Sequence, residues 1–366
     1  MTERSGRAGE LRSGWTTGAC AAAATRAAYT ALVTGRFPDP VEVTLPGGQE
    51  PSFPLVVAER GPDHGRAGVR KDAGDDPDVT HGALVESWVR PAPPGAGIVF
   101  RAGEGVGIVT KPGLSLAVGE PAINPAPRQM IAAMLDDLAP ALGGPADVSV
   151  AIAIPDGRRL ARQTMNGRLG IVGGLSVLGT SGIVKPYSCA AWIASIRQGI
   201  DVAAAAGTPH LAAATGRVSE QAVQALYGLD EAALIDMGDF VGATLKLIRR
   251  KPVARLTIAG GFGKISKLAD GHMDLHSERS SVDRAGLVRR LAALGASEAT
   301  LAQAEAAGSA GAILEVASEA ALPLADTLAA KARAVAVAAL AGASLTPHVD
   351  VLIVDRTGCI VGRAGP

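Results

Sequence analysis

A short loop in the first half of the chain carries four carboxylates beside two cations. Residues 71–78 read KDAGDDPD, and Arg70 precedes them. Three interpretations fit: an acidic turn held by Asx-type hydrogen bonds, a contact with a polar ligand in which one carboxylate acts as a base, or a divalent-cation site. The loop lacks the alternating ligands and closing Glu of an EF-hand, so its spacing does not favour calcium.

Two glycine-rich segments could bring the backbone close to a phosphate or a nucleotide. Residues 103–107 read GEGVG, but Ile108 occupies the sixth position, where a dinucleotide fingerprint needs Gly. Residues 258–264 read IAGGFGK, but Ile265 follows the lysine, where a phosphate loop needs Ser or Thr. Neither motif is complete. Lys111 could still reach an anion from its rigid Pro-Gly turn.

The segment 166–188 spreads six glycines among Ile, Val and Leu. Such a backbone can wrap closely around a flat apolar ligand, or it can form a buried connection between domains. Arg168 and Lys185 bracket it with positive charge.

Composition narrows the function classes. The 366 residues are 48% hydrophobic and 19% charged, with 35 bases and 35 acids, as in an ordinary globular protein. This balance argues against general binding to nucleic acid or membrane surfaces. Residues 1–10 are polar and are expected to be a flexible tail. The cysteines lack CxxC or Cys/His spacing, so we expect no protein metal site and a reducing, cytoplasmic location.

The first half predicts an α+β domain over residues 11–186. Thr16 or Thr17 can cap an Ala-rich helix, and residues 127–140 predict a second helix that ends before Gly. Residues 161–166 are expected to pair with the strand at 148–155 as a hairpin. Further strands are expected over residues 41–47, 52–60, 67–74, 81–91 and 97–103.

The second half predicts a Rossmann-like α/β domain with a mostly parallel sheet over residues 187–366. Short apolar runs alternate with helical patterns, and Ser219 and Asp239 stand where helices are expected to begin. The Ala-rich stretch 297–343 predicts two or three packed helices. The apolar runs are residues 210–216, 233–238, 254–261 and 349–355.

Ligands of open parallel sheets bind outside the carboxyl ends of the strands. The ends of the runs at 210–216, 233–238 and 254–261 would therefore share one edge, with residues 215–217 and 236–240 beside it. Asp236 or Asp239 could hold the ribose hydroxyls of an adenosyl group there, or could cap the helix that follows.

The order of the motifs resembles the cobalt-precorrin-5B C1-methyltransferases of cobalamin (vitamin B12) biosynthesis. The resemblance covers about residues 11–362. It rests on 16–24 (TTGACAAAA), 70–80 (RKDAGDDPDVT), 103–107, 110–114 (TKPGL), 119–125 (GEPAINP), the run from Leu169 to Pro186 and, in the second half, 260–264 (GGFGK).

This resemblance implies methyl transfer from S-adenosylmethionine to C1 of cobalt-precorrin-5B, an anionic tetrapyrrole, to give cobalt-precorrin-6A. Cobalt then belongs to the substrate. Methyl transfer from a sulfonium is an in-line displacement that depends on alignment and needs no covalent enzyme intermediate.

The resemblance also suggests roles for residues. Candidates to bind the carboxylate-rich rim of the macrocycle are Thr16, Thr17, Lys71, Lys111, Arg128, Asn166, Arg168 and Lys185. Candidates to accept a proton or polarise the ring are Asp72, Asp75 and Glu104. Candidates to bind S-adenosylmethionine are Asp236, Asp239, Gly260, Gly261 and Gly263.

Two other functions stay open. One is a nicotinamide-dependent oxidoreductase that uses residues 259–264, although both fingerprints are incomplete. The other is a non-catalytic tetrapyrrole-binding protein, which would bind no methyl donor. Neither nucleic acid nor a membrane is expected as a partner. A homodimer, common for enzymes of this size, and transient contact with neighbouring pathway enzymes are compatible with the sequence.

Overall fold

A computed structural model describes residues 11–345 and 347–365 of the chain. The expected flexible tail, residues 1–10, lies outside the described residues. The chain divides between Ser188 and Cys189 into two units, here called unit 1 and unit 2, each of mixed α/β structure. The sequence predicts the boundary between its two domains at residues 186 and 187.

Unit 1 combines short strands with two long helices. Its strands are β1 (Gly14–Trp15), β2 (Val41–Glu42), β3 (Ser52–Phe53), β4 (Leu55–Arg60), β5 (Gly65–Arg70), β6 (Leu84–Pro91), β7 (Ile98–Ala102), β8 (Ile108–Val109), β9 (Val148–Ala153), β10 (Ile171–Val172) and β11 (Ile183–Val184). Its helices are α1 (Thr17–Thr34), α2 (Pro125–Leu142) and α3 (Gly157–Ala161).

The predicted Ala-rich helix forms as α1, and it lies in the core of unit 1. Thr16 caps it, because the Thr16 Oγ1 accepts a hydrogen bond from Ala19 N at 3.1 Å. Small side chains let the helix approach the sheet so closely that a Cβ at Gly65 would overlap the carbonyl oxygen of Ala28. The helix therefore fixes the position of β5 through backbone contact.

The main sheet of unit 1 has the strand order β4-β5-β6-β9-β7, antiparallel except for the parallel pair β7 and β9. The predicted hairpin between residues 148–155 and 161–166 is wrong. Strand β9 already pairs with β6 on one edge and β7 on the other, so it has no edge left for a partner. Residues 157–161 form α3 instead, and turns follow it.

Three loop segments of unit 1 meet at the backbone of Gly105. Its carbonyl oxygen accepts a hydrogen bond from Leu175 N at 2.8 Å. A Cβ at Gly157 or at Gly174 would overlap the same oxygen, and a Cβ at Gly105 itself would overlap Ile154 O. Glycine is therefore required on each side of this junction. The junction fixes the loop at 103–107 against the glycine-rich segment that contains β10.

Unit 2 consists of one sheet and eight α-helices within the residues that the structure describes. The strands are β12 (His210–Ala214), β13 (Leu234–Asp236), β14 (Arg255–Gly261), β15 (His348–Val354) and β16 (Ile360–Ala364). The helices are α4 (Cys189–Ala205), α5 (Arg217–Tyr227), α6 (Val241–Arg250), α7 (Phe262–Ala269), α8 (Arg284–Ala293), α9 (Glu298–Ala306), α10 (Ala310–Glu319) and α11 (Leu324–Ala339).

The sheet of unit 2 has the order β13-β12-β14-β15-β16. Its first four strands run parallel, and β16 joins β15 antiparallel, so the sheet is mixed. Both faces are buried: Ala212 packs on Val223 of α5, whereas Ala213 faces a larger core. Helices α4, α6, α7 and α11 supply that core with Ile196, Leu245, Ile265 and Leu328, respectively.

The helices of unit 2 include those that the sequence predicts, although not with every predicted end. Residues 297–343 form α9, α10 and α11, which confirms the predicted helical stretch. The expected start of a helix at Ser219 is wrong, because α5 begins at Arg217, and the Ser219 hydroxyl donates to Gly216 O at 2.8 Å. Among the described residues, no helix is long and apolar enough to cross a membrane.

Replacing Gly105 with Ala tests the backbone junction. Gly105 has φ of 71° and no space for a Cβ, whereas Gly119 has φ of 91° and a Cβ there would meet nothing within 4 Å. Both Ala variants carry the cost of a left-handed backbone, about 1–2 kcal/mol, and only Gly105→Ala adds the overlap. We expect its Tm to fall by at least about 4 °C more than that of Gly119→Ala in scanning calorimetry. Equal shifts would show that crowding at Gly105 is unimportant.

Candidate functional site

The acidic loop of unit 1 is tied to the chain segment before α1. The Arg12 guanidinium bonds both carboxylate oxygens of Asp72, one of them at 3.0 Å. The Asp75 carboxylate accepts from Arg12 N at 2.6 Å, and Asp75 N donates to Arg12 O at 2.9 Å. Trp15 N donates to Asp72 O at 2.7 Å. These bonds use two of the carboxylates that the sequence offered as proton acceptors.

The pairing with Arg12 also sets the acidity of Asp72. The hydrogen bond from Arg12, followed by that from Gly74 N, lowers the pKa of Asp72 to about 2. A carboxylate with so low a pKa is a weak proton acceptor near neutral pH. The side chain is 44% exposed, so the geometry is that of a partly solvated clamp.

Lys71 is buried, with only 1% of its side chain exposed. Its Nζ lies 2.6 Å from Asp78 Oδ2, and Asp78 Oδ1 accepts from Thr80 N and Oγ1. Burial alone raises the pKa of Asp78, but the charge and hydrogen bond of Lys71 outweigh burial and leave that pKa below its ordinary value. Contact between the Lys71 ammonium and a ligand would require this ion pair to open.

The remaining carboxylate of the loop is also engaged, because Asp76 Oδ1 accepts from Tyr187 N at 2.9 Å. Across the ranges 11–345 and 347–365, no group of three His, Cys, Asp or Glu side chains is placed to hold a metal ion. The loop therefore has the hydrogen-bonded character of a structural turn.

Thr16 and Thr17 are buried and hold the glycine-rich segment to the start of α1. Thr16 N donates to Gly182 O at 2.9 Å. The Thr17 hydroxyl both accepts from Leu178 N at 3.0 Å and donates to Leu178 O at 3.2 Å. Both side chains are thus used within the fold.

Strands β8 and β10 form a two-stranded ribbon with one apolar face exposed. Ile108 lies directly opposite Val172, and Val109 lies opposite Ile171. Val109 and Ile171 are buried, whereas Ile108 is 37% and Val172 57% exposed. Directly opposite residues share a face, so the exposed pair forms one apolar surface. Val118, on the turn beside β8, is 58% exposed as well.

Lys111 lies next to this ribbon, and its side-chain carbons pack against Gly170, where a Cβ would overlap them. Thr110 fixes the approach with two hydrogen bonds to Gly170 O, from its N at 2.8 Å and from its Oγ1 at 2.7 Å. Lys111 is half-buried and Lys185 is exposed. Within the described part of the chain, neither ammonium has a hydrogen bond or ion pair.

The other polar candidates of unit 1 differ in their freedom to contact a ligand. Arg128 donates to Ile123 O at 2.7 Å and also bonds Glu120, and its guanidinium lies over the Phe100 ring. Asn166 is buried and donates to Gly174 O at 3.1 Å. The half-buried Arg168 lies in the same glycine-rich segment.

Glu104 keeps an accessible carboxylate. It is exposed on the loop whose backbone is fixed at Gly105, and its own carbonyl accepts from Ile154 N at 2.8 Å. No described residue bonds the Glu104 carboxylate. Of the three acids predicted to handle a proton, it is the one whose carboxylate stays unengaged on a fixed backbone.

In unit 2 the strand order identifies one edge of the sheet as the place for a ligand. The chain passes from β12 to β13 on one side of β12, and then to β14 on its other side. The connections therefore leave in opposite directions at the carboxyl ends of β12 and β14. In open α/β sheets, ligands bind at such a switch point.

Thr215 and Gly260 meet at this switch point. A Cβ at Gly260 would lie 2.8 Å from Thr215 Oγ1, so Gly260 serves close packing. In contrast, a Cβ at Gly216 or Gly261 would meet nothing within 4 Å, and one at Gly263 would meet a single carbon at 3.7 Å. Gly216 and Gly261 precede the first turns of α5 and α7, whose amide groups suit a polar ligand.

The charged residues of this edge are paired. Lys264 Nζ donates to Thr215 O at 3.2 Å and lies 3.0 Å from Asp239 Oδ1. Asp236 ends β13 and is half-buried, and its carbonyl accepts from the indole of Trp192 at 3.1 Å. The structure thus brings Asp236, Asp239, Gly260, Gly261 and Gly263 to one edge of the sheet, as the sequence predicted.

Three features of the exposed Ile108–Val172 pair and of the carboxyl edge of the unit 2 sheet were not predicted from the sequence. The exposed pair Ile108 and Val172 was not recognised, because the segments that contain them are too short to show an alternation of apolar and polar residues. Trp192 lies on α4, a helix that the sequence patterns did not predict. The sequence predicts residues 215–217 at this edge, but not the contact between Thr215 and Gly260, which depends on pairing between distant strands.

The comparisons with known proteins identify the same family. The family models CbiD and CbiD, C-terminal domain, match residues 4–186 and 274–365. A Rhodospirillum rubrum protein named cobalt-precorrin-5B C(1)-methyltransferase is 57% identical over 97% of this chain and 98% of its own. A Brucella anthropi protein of the same name is 52% identical over 99% of this chain and 98% of its own.

A crystal structure described as cobalamin biosynthesis protein (cbiD) from Archaeoglobus fulgidus is 25% identical, covers 84% of each chain and gives a TM-score of 0.40. The family models and the near-full-length relatives agree over both units. The chain therefore belongs to the CbiD family.

Proposed function

We propose that this protein transfers a methyl group from S-adenosylmethionine to C1 of cobalt-precorrin-5B and so forms cobalt-precorrin-6A in corrin ring biosynthesis. The observation that carries the proposal is 57% identity, over 97% of this chain, to a protein named for that reaction. The three cysteines of the present chain are free. Because disulfides are rare in cytoplasmic proteins, this agrees with the proposed cytoplasmic location.

Unit 1 supplies the groups for the macrocycle. The apolar face at Ile108 and Val172 suits a flat ring, and the unengaged ammonium groups of Lys111 and Lys185 suit its acetate and propionate carboxylates. We assign Lys71, Arg128, Thr16, Thr17 and Asn166 to the support of this surface, because their polar atoms are already bonded within the fold.

Unit 2 supplies the groups for the methyl donor and is assigned to the Rossmann-like class. The open space above Gly216, Gly261 and Gly263 admits a ligand, and Asp236 at the end of β13 is placed to accept from ribose hydroxyls. Asp239 contributes negative charge near a cationic donor, partly balanced by Lys264. These features fit an adenosyl group.

The reaction asks little of the protein beyond alignment. Carbon C1 of the ring donates an electron pair to the methyl carbon of the donor. The bond between the methyl carbon and sulfur breaks, and sulfur leaves as a neutral thioether. Holding the two reactants in line can lower the barrier by several kcal/mol, up to roughly 7–11 in ideal cases. We propose that the Glu104 carboxylate, exposed and unengaged among the described residues, accepts a proton from the ring, while Asp72 and Asp75 hold the loop.

Turnover with labelled donor tests the activity. Cobalt-precorrin-5B, generated in place by the preceding pathway enzymes, is incubated with the protein and S-adenosylmethionine labelled in its methyl group. We expect mass spectrometry and NMR of the pigment to show one labelled methyl at C1. Binding of the macrocycle without methyl transfer would contradict the proposed activity and favour a tetrapyrrole carrier.

Lys111→Gln tests the macrocycle surface. Loss of a charge-assisted hydrogen bond is expected to raise the Kd of the macrocycle about tenfold. The Kd of S-adenosylhomocysteine should stay within about twofold, since Lys111 belongs to unit 1. Both constants follow from titration of the full-length protein.

The matched control is Lys246→Gln, which removes an exposed lysine of α6 in unit 2. It should change neither constant. If Lys111→Gln weakened the binding of both ligands equally, the substitution would have damaged the fold in general. An unchanged macrocycle Kd would show that Lys111 does not bind the macrocycle.

A further inference from the structure

Trp192 is a large aromatic side chain that stays 45% exposed on the first turn of α4. The other tryptophans, Trp15 and Trp88, are half-buried and pack against Phe53 and His64, respectively. An exposed indole forfeits the free energy that burial would give. Its position therefore needs a reason other than packing.

The indole of Trp192 is fixed rather than loose. Its Nε1 donates to Asp236 O at 3.1 Å. A Cβ at Gly238 would lie 3.2 Å from two atoms of the ring, so glycine lets the indole lie against the backbone there. Gly238 has φ of 52°, which also favours glycine. Phe240 supports the ring, with centroids 6.4 Å apart.

This fixed ring lies over the turn that follows β13, between Asp236 and Asp239. That turn belongs to the ligand-binding edge of the unit 2 sheet. One part of the indole is held by the turn, and the rest is open to solvent. A preorganised aromatic surface beside polar groups binds the π-face of a heterocyclic base well.

We infer that Trp192 binds the methyl donor by stacking on its adenine. This inference rests on the proposed function. The neighbouring Asp236 and Asp239 favour a donor with ribose hydroxyls and a sulfonium charge. The same carboxylates disfavour the anionic rim of the macrocycle, so the adenine is the better occupant of this surface.

Titration of the full-length protein with S-adenosylhomocysteine, and separately with adenosine, tests the inference. Trp192→Ala should raise both Kd values about tenfold, and Trp192→Phe, which keeps an aromatic face, should raise them much less. Both ligands should quench tryptophan emission of the unaltered protein, and Trp192→Phe should abolish the quenching. Leu226→Ala, which removes another exposed apolar side chain of unit 2, is the control and should change nothing.

The outcomes separate this inference from the function on which it rests. An unaltered protein that binds no S-adenosylhomocysteine and transfers no methyl group contradicts the proposed function. Methyl transfer with unchanged Kd values in both Trp192 variants overturns the stacking role alone. Weaker macrocycle binding with unchanged S-adenosylhomocysteine binding assigns Trp192 to the other substrate and also overturns it. Because Trp192→Phe keeps an aromatic side chain at this position, it supports the test even if the Ala variant unfolds.

Discussion

The contact between backbone segments at Gly105 is the constraint on which the surface of unit 1 depends. Its carbonyl accepts from Leu175 N, and glycine at 157 and 174 lets the neighbouring segments approach that oxygen. The contact holds the loop with Glu104 against the segment that contains β10. Strand β10 in turn pairs with β8, so the exposed apolar pair and the packing of Lys111 on Gly170 follow from it.

The charges of the chain divide into those that hold the fold and those that can meet a ligand. Lys71 is buried beside Asp78, and hydrogen bonds from Arg12 and from Gly74 N lower the pKa of Asp72 to about 2. Removing Asp78 would leave the buried charge of Lys71 uncompensated, so Lys71 is a poor choice for transient binding. Lys111 and Glu104 have no such partner among the described residues and stay available.

Local patterns predicted what local physics determines. The cap at Thr16, the Ala-rich α1 and the apolar strands of unit 2 follow from neighbouring residues, and the structure contains them. The hairpin at 161–166 failed because both edges of β9 are taken by strands distant in sequence. The burial of Lys71 was not predicted either, although its partner Asp78 lies only seven residues further along the same loop. A charge-rich sequence predicts a polar loop, but tertiary packing decides which of its charged side chains face solvent.

Hydrogen–deuterium exchange of the full-length protein, measured with each ligand in turn, would show most directly whether two separate sets of residues bind the two reactants. We expect S-adenosylhomocysteine to slow exchange at residues 215–217, 237–240 and 260–263 of unit 2. We expect the cobalt macrocycle to slow exchange at residues 104–120 and 168–185 of unit 1. Protection of the unit 1 segments by S-adenosylhomocysteine, with no change at the carboxyl edge of the unit 2 sheet, would contradict this division.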